Sequence, residues 1–189
     1  MIRSWSLAPS LLLLLGLAGC AKSSANSAVA RAEKDIAQLP PDAAKIAPVE
    51  VKALNDSVGA MKANIEKGDF RAALMGARSV SSLARDLSFN LNARKTQLTA
   101  AYNAAADEVP KQLDSLAAKV EELGKMRRLP PGIDAARFAQ VKANVDVLRQ
   151  QWTAATQAHA NGEIAAALAK ANEVKAKVAD AMKVVGMAG

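Results

Sequence analysis

The sequence predicts an all-α protein built of antiparallel helical hairpins, on four observations. Alanine, the best helix former, supplies nearly a quarter of the 189 residues, and Leu, Met, Lys, Arg, Gln and Glu fill most of the others. Aromatic residues make up only 3%, and no stretch carries the β-branched and aromatic clusters that suit strands. Apolar residues recur at steps of three and four, the spacing of one helix face. Finally, Gly68-Asp69-Phe70-Arg71-Ala72-Ala73-Leu74 is echoed 94 positions later by Gly162-Glu163-Ile164-Ala165-Ala166-Ala167-Leu168. Such an echo predicts an internal duplication.

The first element is a leader. Ile2 and Arg3 give a short positive start, Leu11 to Leu15 with Leu17 an apolar stretch, and Ala18 and Gly19 small residues before Cys20. A spanning helix needs about 20 apolar residues, so cleavage is expected rather than a permanent anchor. Leu17-Ala18-Gly19-Cys20 resembles the lipobox of bacterial prolipoproteins, and the resemblance covers the first 20 residues. It implies that residues 1–19 are a signal peptide and that Cys20 is the lipidation site. The thiol then carries a diacylglyceryl group, and the amino terminus is usually acylated as well. At about 0.8 kcal/mol per buried methylene, two or more chains hold stably to a membrane. Ala21, rather than Asp, at the second mature position implies sorting to the outer membrane, on the inner leaflet facing the periplasm. Cys20 is the sole cysteine, so the mature chain forms no intramolecular disulfide. Residues 20–27 are small and polar and are expected as a flexible tether.

Two repeat units are expected next, over residues 28–107 and 108–189, packed separately or as one domain. The echo has flanks: Val51, Leu54, Ala60, Ala77 and Val80 meet Val145, Leu148, Ala154, Ala171 and Val174 at the same offset. Leu39-Pro40-Pro41 recurs as Leu129-Pro130-Pro131 with a small shift. Each copy reads as a short helix, a Leu-Pro-Pro break, a long helix, a glycine turn and a second long helix. Proline ends one helix and is tolerated in the first turn of the next. Gly68 and Gly162 suit the left-handed residue that closes a helix, and Asp69 can cap the following one. Apolar stripes run through Ala47, Val51, Leu54, Val58, Met61 and Ile65, and through Phe138, Val141, Val145, Leu148, Trp152, Ala155 and His159. A third passes through Leu98, Tyr102, Ala105, Val109, Leu113, Leu116, Val120 and Leu123. Asn90, Asn92 and Pro110 are expected to interrupt the helical run from Phe70 to Leu123, Pro110 because it removes a backbone donor and clashes with the Ala106 carbonyl. The alternative is one long bent helix.

Catalytic chemistry finds no foothold. His159, the only histidine, lies on an apolar stripe where the other copy has Ile65, which favours packing or capping over metal binding or base catalysis. A metal site needs three or four ligands in fixed geometry, and no motif for metal, haem, nucleophile or phosphate-loop chemistry is present. No cofactor is implied. Asp107-Glu108 and Glu121-Glu122 are adjacent acids that point about 100° apart on a helix, so they read as solvated faces. Lys125, Arg127 and Arg128 form the densest basic cluster. They read as cations offsetting a helix C-terminus, with contact to an anionic surface as the second account. Trp152 and Phe138 read as core rather than as the lining of a ligand groove.

The formal charge of +7 falls to +6 once Arg3 leaves with the signal, a bias toward anionic surroundings such as lipid headgroups. Nucleic acid is a poor partner, since no aromatic residues interleave a basic patch to stack on bases. Ala47 to Ala53, followed by Lys67 to Ala73, resembles the helix-turn-helix of small alanine-rich periplasmic lipoproteins, a likeness that brings no functional residues. The 34-residue period of tetratricopeptide repeats is missing. The expectation is a non-enzymatic envelope lipoprotein, held to the membrane through Cys20 and presenting helix faces to a protein partner. The alternative is a carrier that holds a lipid or other apolar ligand between amphipathic helices. In cells grown with labelled fatty acid, the native protein should carry label, and Cys20→Ser should abolish both labelling and processing. An unlabelled native protein contradicts the lipidation.

Overall fold

A computed structural model describes residues 12–187, with side chains from Cys20 onward. Six helices occupy this span: α1 (Leu12–Ala37), α2 (Ala43–Ile46), α3 (Pro48–Glu66), α4 (Phe70–Gly124), α5 (Ala135–Ala160) and α6 (Ile164–Val184). No strand occurs among the described residues, and the fold is all-α as expected. Residues 1–11 of the expected signal lie outside the described residues, as do the side chains of residues 12–19. Among the described residues, no helix is long and apolar enough to cross a membrane.

The chain divides into two units, each with its own core. The first comprises the residues up to Ala44 with Pro48–Asn90, and the second Lys45–Ala47 with Leu91 onward. In the first, Ala25, Val29 and Ala32 of α1 meet Leu54, Val58, Met61 and Ile65 of α3 and Ala73, Ala77, Val80 and Ala84 of α4. In the second, the α4 stripe from Tyr102 to Leu123 meets Phe138, Val141, Val145 and Leu148 of α5 and Ala167, Ala171, Val174 and Val178 of α6. Both are three-helix clusters. Positions 94 apart are buried in both, among them Leu54 with Leu148, Ala73 with Ala167, Ala77 with Ala171 and Val80 with Val174.

The turns follow from local chemistry. Gly68 (φ 79°) and Gly162 (φ 75°) take the left-handed conformation. Around them Asp69 N–H donates to the Asn64 carbonyl (2.8 Å) and Glu163 N–H to that of Ala158 (2.9 Å). This bond back across the glycine closes a helix and satisfies a carbonyl that has no partner within it. Asp69 then caps α4 by accepting from Ala72 N–H at 3.0 Å, whereas Glu163 makes no such side-chain bond. After the second Leu-Pro-Pro break, Asp134 caps α5 by accepting from Arg137 N–H at 2.7 Å. Lys45 joins the second unit, its ammonium donating to the Asn161 carbonyl at the end of α5 (2.8 Å).

Three expectations need correction. Residues 20–27 are not a tether but part of α1, because Ala25, Val29 and Ala32 form a stripe, 0 to 3% exposed, that docks on the first core. The unit boundary falls at Asn90/Leu91 rather than 107/108, since the first core ends on α4 at Ala84 and the second begins near Tyr102. Nor do Asn90, Asn92 and Pro110 interrupt α4. The Asn90 amide donates to the Asp86 carbonyl one turn back (2.9 Å), so its side chain bonds along the helix instead of competing with it. Pro110 is carried between Val109 and Leu113, buried in the second core, whose packing outweighs the lost backbone bond.

Gly59 and Gly68 separate helix propensity from turn geometry, because a Cβ added at either meets no atom within 4 Å. Gly59→Ala, inside α3, should stabilise by about 0.5–1 kcal/mol. Gly68→Ala, held at positive φ, should destabilise by about 1–2 kcal/mol. Urea unfolding followed by helical circular dichroism checks both signs.

Candidate functional site

Cys20 is exposed on α1. The segment it leads into is a helix whose apolar stripe is docked, so the polar residues between the stripe positions acquire a fixed direction. Ser23, Ser27 and Arg31 follow one another at four-residue steps and share a face. On α4, Arg78, Ser82 and Arg85 recur at steps of four and three. The two rows, with Ser24 and Ser81, line a groove of about 570 Å³ in the first unit. Ala28, Leu74 and Ala77 complete the lining.

Asp35 is the carboxylate beside this groove. Its side chain is 15% exposed and lies 3.3 Å from the Arg85 guanidinium. A hydrogen bond from Ser81, then the bond and charge of Arg85 and the charge of Arg31, outweigh partial burial and hold this carboxyl below its ordinary value. Asp35 and Ser81 thus orient Arg85. Arg31 and Arg78 are exposed along the groove wall.

The residues singled out in the sequence lie elsewhere. His159 is half-buried on α5 and stacks on Tyr102, with ring centroids 4.2 Å apart and planes 7° apart. Trp152 stacks on the same tyrosine at 6.3 Å and 6°. Burial pushes the Tyr102 phenol up from its ordinary value. Phe138 sits in the second core, and Trp152 packs against that core. The structure therefore joins Trp152 and His159 through Tyr102, a partner the sequence marked only as a stripe position. Stacked rings of this kind add about 0.5–1.5 kcal/mol beyond area burial.

The acids and bases find ordinary partners. Glu108 accepts from Lys175 of α6 and from the Gln112 amide, so it links helices instead of facing solvent alone. Glu121 pairs with Lys125, and Glu122 with Lys119 at 3.0 Å. The Lys125 bond and charge hold the Glu121 carboxyl below its ordinary value. Lys125, Arg127 and Arg128 fall beyond Gly124, where α4 ends, and its last turn holds no basic residue. The macrodipole account weakens accordingly, because that effect fades beyond the terminal turn. Among the described residues, no group of three or more His, Cys, Asp or Glu is placed to hold a metal ion.

The groove was missed in the sequence because its serines read as linker composition. The signal was present in the spacing of Ser23, Ser27 and Arg31, which is helical rather than random. No family model, curated protein or solved structure matches the chain.

Proposed function

We propose that this chain is a lipid-anchored envelope protein, non-catalytic, whose helical units act as a structural or adaptor module toward an envelope partner. The observation that carries the reading is Cys20: the sole cysteine, exposed, preceded by Leu17-Ala18-Gly19 and followed directly by folded helix. Cleavage before Cys20 makes it the first residue of α1, and its acyl chains hold the protein to the inner leaflet of the outer membrane. The two units are read as copies of one helical hairpin, on the strength of their matching turns and matching buried positions. The groove gives no support to a carrier for apolar ligands, since serine and arginine form most of its walls.

Proximity crosslinking from intact envelopes, with identification of the adducts, tests the adaptor role. A discrete protein partner captured through either unit is the expected result. Recovery of abundant bystanders alone contradicts it.

A further inference from the structure

The α1/α4 groove has a chemistry that helix packing does not require. Nine serines follow Cys20 in the sequence, and five of them line this one groove. In a helix interior serine is less favourable than alanine, and alanine is the commonest residue of this chain. The second unit shows that the core forms without them: 94 residues beyond Arg78, Ser81, Ser82 and Arg85 stand Asn172, Lys175, Ala176 and Ala179. Arg31, Arg78 and Arg85 line the groove, and Asp35 beside it pairs with Arg85, leaving an excess of positive charge among hydroxyl donors. Guanidinium forks and hydroxyls are the donor set that suits phosphate oxygens.

We propose that this groove takes the phosphate headgroup of an anionic phospholipid from the bilayer that holds Cys20. The inference rests on the lipid-anchor reading for the identity of the ligand's source, and on the groove for its chemistry. Ser23 and Ser24 are three and four residues from Cys20, about 5–6 Å along a helix. A lipidated Cys20 therefore sets the serine end of the groove at the headgroup layer, where phosphate is concentrated. Arg31 and Arg78 supply the charge, while Arg85, engaged with Asp35, fixes the far end. Bound this way, the first unit is oriented on the membrane as well as tethered to it.

The test uses the mature protein reconstituted into nanodiscs of equal phosphatidylglycerol and phosphatidylcholine, with retained lipids counted by native mass spectrometry. The expected result is selective retention of phosphatidylglycerol. The double variant Arg31→Gln/Arg78→Gln leaves the Arg85–Asp35 pair in place and should keep the helical signal. It should weaken retention by roughly fivefold per arginine, about 25-fold for the pair. Replacing Lys125, Arg127 and Arg128 with Gln should leave selectivity intact. Equal retention of the two lipids, or selectivity unchanged in the double variant, overturns the proposal. So does displacement of the lipid by millimolar inorganic phosphate, which would assign the groove to a soluble anion. The same spectra report the mass on Cys20: an acylated chain without selectivity refutes the groove alone. An unacylated chain that still selects phosphatidylglycerol supports the groove and refutes the anchor.

Discussion

The docking of α1 through alanine is the contact on which the rest of the first unit depends. Ala25 and Ala32 are fully buried, as is Ala73, and Ala77 is 2% exposed; all four belong to the first core, in which α1 packs on α3. With α1 docked, its polar residues and those of α4 line one groove, and most of them are serines and arginines. Fit at the seam is as important as apolar area, because each alanine buries little surface. The α3–α4 contact is close: a Cβ added at Gly76 of α4 would lie 2.9 Å from Met61 Cγ.

The second unit solves the same packing problem with larger groups. Leu113, Leu116 and Leu123 come from α4, and Phe138 and Leu148 from α5. The Tyr102, Trp152 and His159 rings stack in place of an aliphatic contact. Its α4–α6 face carries the Glu108–Lys175 pair, which is more than 40% exposed on both sides and so contributes at most about 1 kcal/mol.

The sequence makes large side chains and special backbone positions legible. The stripes on α3 and α5 show because Leu, Val, Ile, Met and Phe stand out against alanine at helical spacing, and their central members are buried. The glycine turns show because few residues accept positive φ, and Gly68 and Gly162 do adopt it. The docking of α1 is hidden for the converse reason. Its buried face is Ala25, Val29 and Ala32, in a chain where alanine also occupies solvent-facing positions, so the face carries little contrast. The serines beside it then read as linker. The run of α4 past Asn90 and Pro110 is likewise decided by tertiary packing and by a side-chain bond one turn back, neither of which local propensity can express. The groove inherits both difficulties, because its two walls come from segments about 50 residues apart.

Everything proposed for the membrane-facing end requires that the segment after Cys20 be a docked helix and not a tether. Amide hydrogen exchange on the mature protein measures this directly. The account predicts that the Ala25–Ala32 amides exchange as slowly as those of Leu54–Ile65 in α3, against which α1 packs. Exchange across Ala25–Ala32 at the rate of an unstructured chain, with α3 still protected, would contradict it.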